Sequence, residues 1–142
     1  MNSMAANTRR PDVFIDANIL ISGLFFEGPE SNLLKLGVLG LVNLVTCSFV
    51  IEEVQEVIRR KFPEAENNFR EITSTLTVLK TEWGGEARRL IRDGKDVPVL
   101  ATALKYQPDY FVTGDEDFYT PEIKKRLNIV RTRQFLQQMP WR

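Results

Sequence analysis

Short apolar runs alternate along this chain with stretches of helical periodicity, and that alternation leaves few architectures open. Asp12 to Ile15, Leu41 to Thr46, Asp109 to Thr113 and Asn128 to Val130 read as strands, and a further short strand is expected between Lys80 and Asp93. Ile19 to Phe26, Glu30 to Gly40, Ser48 to about Arg60, Pro63 to about Leu79, Val97 to Tyr106, Pro121 to Leu127 and Thr132 to Met139 read as helices. Gly37 and Gly40 fall near the end of the second of these, and Ser48 is placed to cap the third. Strands interleaved with helices in this way build an α/β fold, with a central, mostly parallel sheet covered on both faces. No linker, repeat or low-complexity tract divides the chain. One domain is therefore expected over residues 11–142, after a polar and loose segment at 1–10.

The composition narrows the functional classes. The chain has 142 residues and 19 basic side chains against 19 acidic ones, so it carries no formal net charge. That balance argues against coating nucleic acid by bulk positive charge, although a local basic face could still hold phosphates. The lone Cys47 cannot form an internal disulfide and, beside an apolar run, is expected to be buried. The N-terminal stretch MNSMAANTRR lacks the apolar core of a signal peptide. No apolar run approaches the roughly 18 residues of a membrane span, so a cytoplasmic location is expected.

Histidine is absent altogether. Any metal site or acid/base chemistry must then rest mainly on Asp and Glu, which without nitrogen or sulfur partners select hard cations such as Mg²⁺ or Mn²⁺. Five acids sit where an expected strand gives way to a helix or loop: Asp16, Glu53, Asp96, Asp115 and Asp117. In open parallel sheets, binding sites form beyond the carboxyl ends of the strands, so these distant acids are expected to converge on one edge.

Each acid also has an ordinary explanation. Asp16 ends the run VFID and could cap the helix that follows, with Asn18 orienting it or capping in its place. On the third helix Val50, Ile51, Val54, Val57 and Ile58 form the apolar face; Glu52 and Glu56 point away from it, and Glu53 falls at its border. Glu53 could reach a cleft or simply be solvated. Asp96 shares the i, i+3, i+4, i+7 stripe of Val99, Leu100 and Ala103, so its carboxylate sits at a buried position. Such a charge costs several kcal/mol unless backbone N–H groups or a cation compensate it. An N-cap, shared with Asp93, is the alternative. Asp115 and Asp117 follow Gly114 in VTGDEDF; they form either a cation site or an acidic surface turn. Together they share one expected edge, which capping alone does not require.

The stretches VFIDANILISGL, SFVIEEVQEVI, DGKDVPVLATAL, DYFVTGDEDF and NIVRTRQFL run in order from Val13 to Leu136. On them the chain resembles the PIN-domain ribonucleases, and most closely the VapC-like toxins of bacterial and archaeal toxin–antitoxin systems. The resemblance implies a three-layer α/β/α fold and an acidic site holding Mg²⁺ or Mn²⁺ for the hydrolysis of RNA. It makes Asp16, Glu53, Asp96 and Asp115 the core acids and metal ligands, with Asp117 a further ligand. Asn18 would be an orienting residue and Thr113 a nearby hydroxyl that positions water or ligand. Ala17 departs from the threonine usual there, and the tail Met139-Pro140-Trp141-Arg142 matches no motif.

An antitoxin protein and a second copy of the chain are the expected partners. Phe25-Phe26 and Leu33 to Leu39 are candidate surfaces for them, with core packing the alternative. Arg59, Arg60 and Lys61, or Arg88, Arg89 and Arg92, could contact phosphate or be solvated faces. Three rivals remain: a non-catalytic PIN-like scaffold for RNA or a partner, a PIN-like RNA-processing factor, and a phosphotransfer receiver domain. The last leaves Glu53 and Asp96 without a role. A dinucleotide-binding domain is disfavoured because neither G-x-G-x-x-G nor a P-loop occurs.

Overall fold

The three central strands are buried along almost their whole length, and everything else packs around them. A computed structural model of the chain describes residues 9–139. In chain order the elements are β1 (Asp12–Ile15), α1 (Ala17–Phe25), α2 (Pro29–Val38), β2 (Asn43–Cys47), α3 (Ser48–Lys61), α4 (Glu66–Thr73) and β3 (Thr77–Leu79). They continue with α5 (Ala87–Leu90), α6 (Val97–Tyr106), β4 (Tyr110–Val112), α7 (Pro121–Lys124), β5 (Ile129–Val130) and α8 (Thr132–Gln138). Short 3-10 turns cover Pro63–Ala65 and Glu116–Phe118.

The five strands form one sheet in the order β3-β2-β1-β4-β5, and every pair is parallel. Helices cover it on both faces, giving the expected three-layer α/β/α arrangement. Crossovers leave β1 towards β2 on one side, while β4 lies on the other. The carboxyl ends of β1 and β4 therefore flank a topological switch point, where open α/β sheets place their sites. In register Ile15 faces Val112, so Asp16 and Thr113 come next to each other.

Aromatic packing fixes the height of the following loop. Phe14 on β1 meets Phe111 on β4 with ring centroids 5.2 Å apart, and Phe111 meets Phe118 at 5.0 Å. All three rings are fully buried. Phe118 thus pins the 3-10 turn Glu116–Phe118 to the core, and the acids on either side of Glu116 are held with it. Cys47 is buried and unpaired, as expected.

Two local expectations are corrected. The helix read from Pro63 to Leu79 is a 3-10 turn, then α4, then the edge strand β3. Hydroxyls end α4: Thr73, Ser74 and Thr75 donate to the carbonyls of Phe69, Glu71 and Ile72 at 2.8, 2.6 and 2.7 Å. The β-branched residues beyond are then free to pair with β2. Ser48 opens α3 rather than capping it. The Thr81 hydroxyl, from the segment after β3, accepts the Phe49 N–H at 2.8 Å and lies 2.9 Å from the Ser48 hydroxyl. Gly37 is near the end of α2 as expected, and Leu44 packs there so closely that a Cβ would stand 2.4 Å from its Cδ1. Gly40 does end the helix, at φ +79, with Gly40 N–H on Gly37 C=O and Leu41 N–H on Leu36 C=O. Of the segment read as loose, residues 1–8 lie outside the described residues, while Arg9 is paired with Asp109 at 3.2 Å.

Helices α1 and α2 meet closely at Gly23. A Cβ on Gly23 would stand 2.5 Å from Leu34 Cδ1 and 2.9 Å from the backbone oxygen of Glu30. Because a backbone atom cannot rotate away, Gly23→Ala should cost about 1–3 kcal/mol. Urea denaturation with an unchanged slope measures this, and a cost near zero would show that the helices do not meet so tightly.

Candidate metal centre at the carboxyl edge of the sheet

Asp16 is both a helix cap and part of a buried cluster. Its Oδ1 accepts the Ile19 N–H at 3.1 Å, and its Oδ2 accepts the Thr113 hydroxyl at 2.5 Å. The residue is 7 % exposed. Burial pushes its carboxyl above the usual range; the bonds from Thr113 and Ile19 pull it down, and the charges of Asp115 and Glu53 push it further up. The capping explanation therefore holds without excluding the other. Asn18, exposed on the first turn of α1, neither caps the helix nor bonds to Asp16.

Thr113 is fully buried and joins Asp16 to the next acid. While donating to Asp16, its hydroxyl accepts the Asp115 N–H at 3.0 Å, and its carbonyl accepts the Tyr119 hydroxyl at 2.7 Å. The Asp117 N–H then donates to Asp115 Oδ1 at 3.0 Å. These bonds shape the acidic turn. Gly114 is not in left-handed backbone, and a Cβ there would meet only the Arg131 guanidinium at 3.9 Å. The turn is therefore made by these hydrogen bonds and not by a special glycine conformation.

Asp96, Asp115 and Asp117 each place one carboxylate oxygen within 4.8 Å of the other two. Asp96 occupies the N-cap position of α6, but its backbone is already helical (φ −85, ψ −16) and its side chain caps nothing. Asp93 turns back on its own loop, accepting the Lys95 N–H at 3.0 Å. Asp96 Oδ2 is left buried without a hydrogen-bond partner among the described residues. Burial, followed by the charges of Asp115, Asp93, Asp117 and Asp16, pushes the Asp96 carboxyl up to about 7. Such an oxygen costs free energy unless something binds it.

Glu53 is half-buried on α3, while Glu52 and Glu56 are exposed. It lies close enough to Asp16 to repel its charge, yet stands apart from the three clustered oxygens. The five acids named from the sequence are thus gathered in two adjoining groups. Oxygen ligands alone, one of them orphaned, fit a hard divalent cation and not zinc.

Two contributors gave no sequence signal of their own. Arg131, just past β5, donates to the Gly114 carbonyl at 3.1 Å, ion-pairs with Glu116 and lies over the Tyr119 ring at 4.4 Å. Both brace the acidic turn from outside. Only the position of Arg131 in the stretch NIVRTRQFL could have pointed to it. Of the basic clusters, Arg59 and Arg60 pair with Glu56 near the far end of α3, about 9–11 Å along the axis from Glu53. Arg88, Arg89 and Arg92 sit on or just after α5 and precede Asp96 closely in the chain.

The raised Asp96 carboxyl has a consequence for stability. Its ordinary value is 3.8, and folding lifts it to about 7. Between those values the folded chain holds a proton that the unfolded chain has released. The contribution of Asp96 is therefore full below pH 4 and is lost as pH rises through 7. Thermal melts of the chelator-treated protein should show Tm falling over that range. Asp96→Asn should flatten the slope, and Mn²⁺ at pH 7 should restore Tm in the parent only. A parent and variant with parallel pH profiles would contradict this.

Comparison with known proteins agrees with the geometry. Residues 12–117 match the family model described as "PIN domain". Among solved structures, a chain in the crystal structure of VapBC2 from Rickettsia felis, bound to a DNA fragment from their promoter, superposes with a TM-score of 0.60. The two share 16% identity over 84% of this chain and 98% of that one, a likeness of fold. No curated protein matches in sequence. Among the described residues no helix is long and apolar enough to cross a membrane. The family match takes in all five gathered acids and four of the five strands, and on that ground the chain belongs to the PIN domain family.

Proposed function

We propose that this chain is a Mg²⁺- or Mn²⁺-dependent endoribonuclease, with residues 11–142 forming a single PIN domain, and that it serves as the toxin of a toxin–antitoxin pair. PIN domains are generally nucleases that use a divalent metal, and the chain retains the acids such chemistry needs. The observation that carries the reading is Asp96 Oδ2, a buried oxygen without a partner beside Asp115 and Asp117.

Asp96, Asp115 and Asp117 would hold the cation, with Asp16 and Glu53 completing the acidic wall. When bound, the cation supplies Lewis acidity at the phosphate and eases the ionisation of a water. Asp16, through Thr113, keeps the Asp115 backbone in place. Glu53, apart from the cluster and half-exposed, is positioned to accept a proton from a water or to bind the cation through one. Asn18 faces solvent at the mouth of α1, where it can orient substrate or water. Arg88 and Arg92, which closely precede Asp96 in the chain, would meet the phosphates.

The VapBC2 neighbour pairs a toxin with an antitoxin, which supports a protein partner here. Of the apolar segments, Leu33 and Leu34 are core, while Phe26, Val38, Leu39 and Leu41 remain exposed. Leu24, Leu34, Val38, Leu39 and Ile72 border a groove of about 390 Å³ that an antitoxin or a second copy could cover.

Asp16→Asn and Asp96→Asn should each lower cleavage of a labelled single-stranded RNA by about 100-fold or more in Mn²⁺, with the fold intact by circular dichroism. Chelation should abolish cleavage and added Mn²⁺ restore it. If repurified Asp96→Asn cleaves like the parent, the assignment fails. Manganese binding by calorimetry without any RNA cleavage would favour the non-catalytic scaffold.

A further inference from the structure

Trp83 is exposed over 62% of its surface, yet the chain around it is firmly tied. Thr81, two residues before, bonds to both Ser48 and Phe49 at the start of α3. Glu82 gives its N–H to the buried Thr102 hydroxyl at 2.8 Å and pairs its carboxylate with Lys105 at 3.1 Å. The Trp83 ring meets Phe49 edge-on, with centroids 5.5 Å apart. Gly84 and Gly85 then turn through φ +86 and +66, conformations that side chains rarely adopt, and carry the chain away without covering the indole.

Beside the ring lies a pocket of about 320 Å³. Trp83 walls it, Gly85, Ala101 and Leu104 line it, and Glu82 and Lys105 stand at its rim. Its position relative to the acids follows from three elements. Ala101 lies about 7–8 Å along α6 from Asp96. Phe49 and Glu53 are one turn apart on the same side of α3. The loop leaves β3, two strands from β1 and so about 10 Å from the level of Asp16, at the same carboxyl edge. Arg88 lies alongside, its Nε 3.6 Å from where a Gly84 Cβ would be.

We propose that this pocket is a nucleobase subsite, in which Trp83 stacks on an unpaired base of single-stranded RNA flanking the phosphate held at the acids. The assignment rests on the ribonuclease reading above. A flat aromatic face, open on one side and held from behind, matches the π-face every base offers, while duplex bases are already covered by their neighbours. Glu82 and Lys105 offer an acceptor and donors to the base edge, and Arg88 a cation to the adjoining phosphate.

The test uses the full chain with its other tryptophan replaced, Trp141→Phe, so that emission reports Trp83 alone. Asp96→Asn is added for the binding titration, which prevents turnover. A ten-nucleotide single-stranded RNA should quench emission saturably by about half or more, and the same strand in a hairpin duplex should not. In the active protein Trp83→Ala should raise KM about tenfold with kcat within about twofold, and Trp83→Phe should recover most of the loss. Emission unchanged while RNA binding is evident by anisotropy, or a Trp83→Ala protein with the parental KM, overturns the subsite and leaves the nuclease reading intact. A parent that neither binds nor cleaves single-stranded RNA removes both.

Discussion

Thr113 stands where β4 ends beside β1, and its hydroxyl is shared between two acids that the chain keeps almost a hundred residues apart. It donates to Asp16 and accepts from the Asp115 backbone, so the two strand ends cannot shift without breaking one of those bonds. The hydroxyl is fully buried, which raises the cost of leaving either bond unmade. Tyr119 holds the Thr113 carbonyl, and Phe118 locks the following turn into the aromatic stack of Phe111 and Phe14. The acidic turn is thus set from below by packing and from the side by hydrogen bonds, with Arg131 closing its outer flank.

The two edges of the sheet treat the same residue type differently. At the amino edge Asp12 accepts from Asn43 at 2.8 Å and from Tyr106 at 3.2 Å, while Asp109 accepts the Asp12 N–H at 2.7 Å and pairs with Arg9. Thr77 extends this network to β3 through Asn43. Those acids are structural, because their lone pairs are used within the fold. At the carboxyl edge Asp96 has a buried oxygen with no partner, and the neighbouring charges are all negative. Such an arrangement destabilises the chain by itself and is relieved either by a proton or by a cation. A bound cation would compete with a proton for that oxygen, and its binding would then be coupled to the stability of the fold.

Much of this was legible in the chain. Val97 to Tyr106 is helical over that span, β1 covers Asp12 to Ile15, and β2, β4 and β5 fall at or near the runs read as strands, whereas the strand expected between Lys80 and Asp93 lies before that span as β3. These elements are recognisable because local periodicity reports which face is buried. The helix read through Leu79 failed because TSTLTVL is short and rich in β-branched residues and hydroxyls, and pairing with β2 decides its state. Ser48 failed as a cap for a similar reason: its competitor, Thr81, lies 33 residues away. Arg131 and Tyr119 escaped because neither has a spacing that distinguishes it from an ordinary surface residue.

By itself the sequence determined the class of fold and which acids lie near the ends of its strands, with no histidine among them, since alternation of elements and residue identity are properties of the chain alone. Only the tertiary structure decided how those acids divide. Asp16 has both its oxygens engaged, Glu53 stands apart, and Asp96 meets Asp115 and Asp117 with an oxygen left bare. Burial and hydrogen-bond partners come from parallel strand register and loop packing, which bring together residues that no local pattern relates.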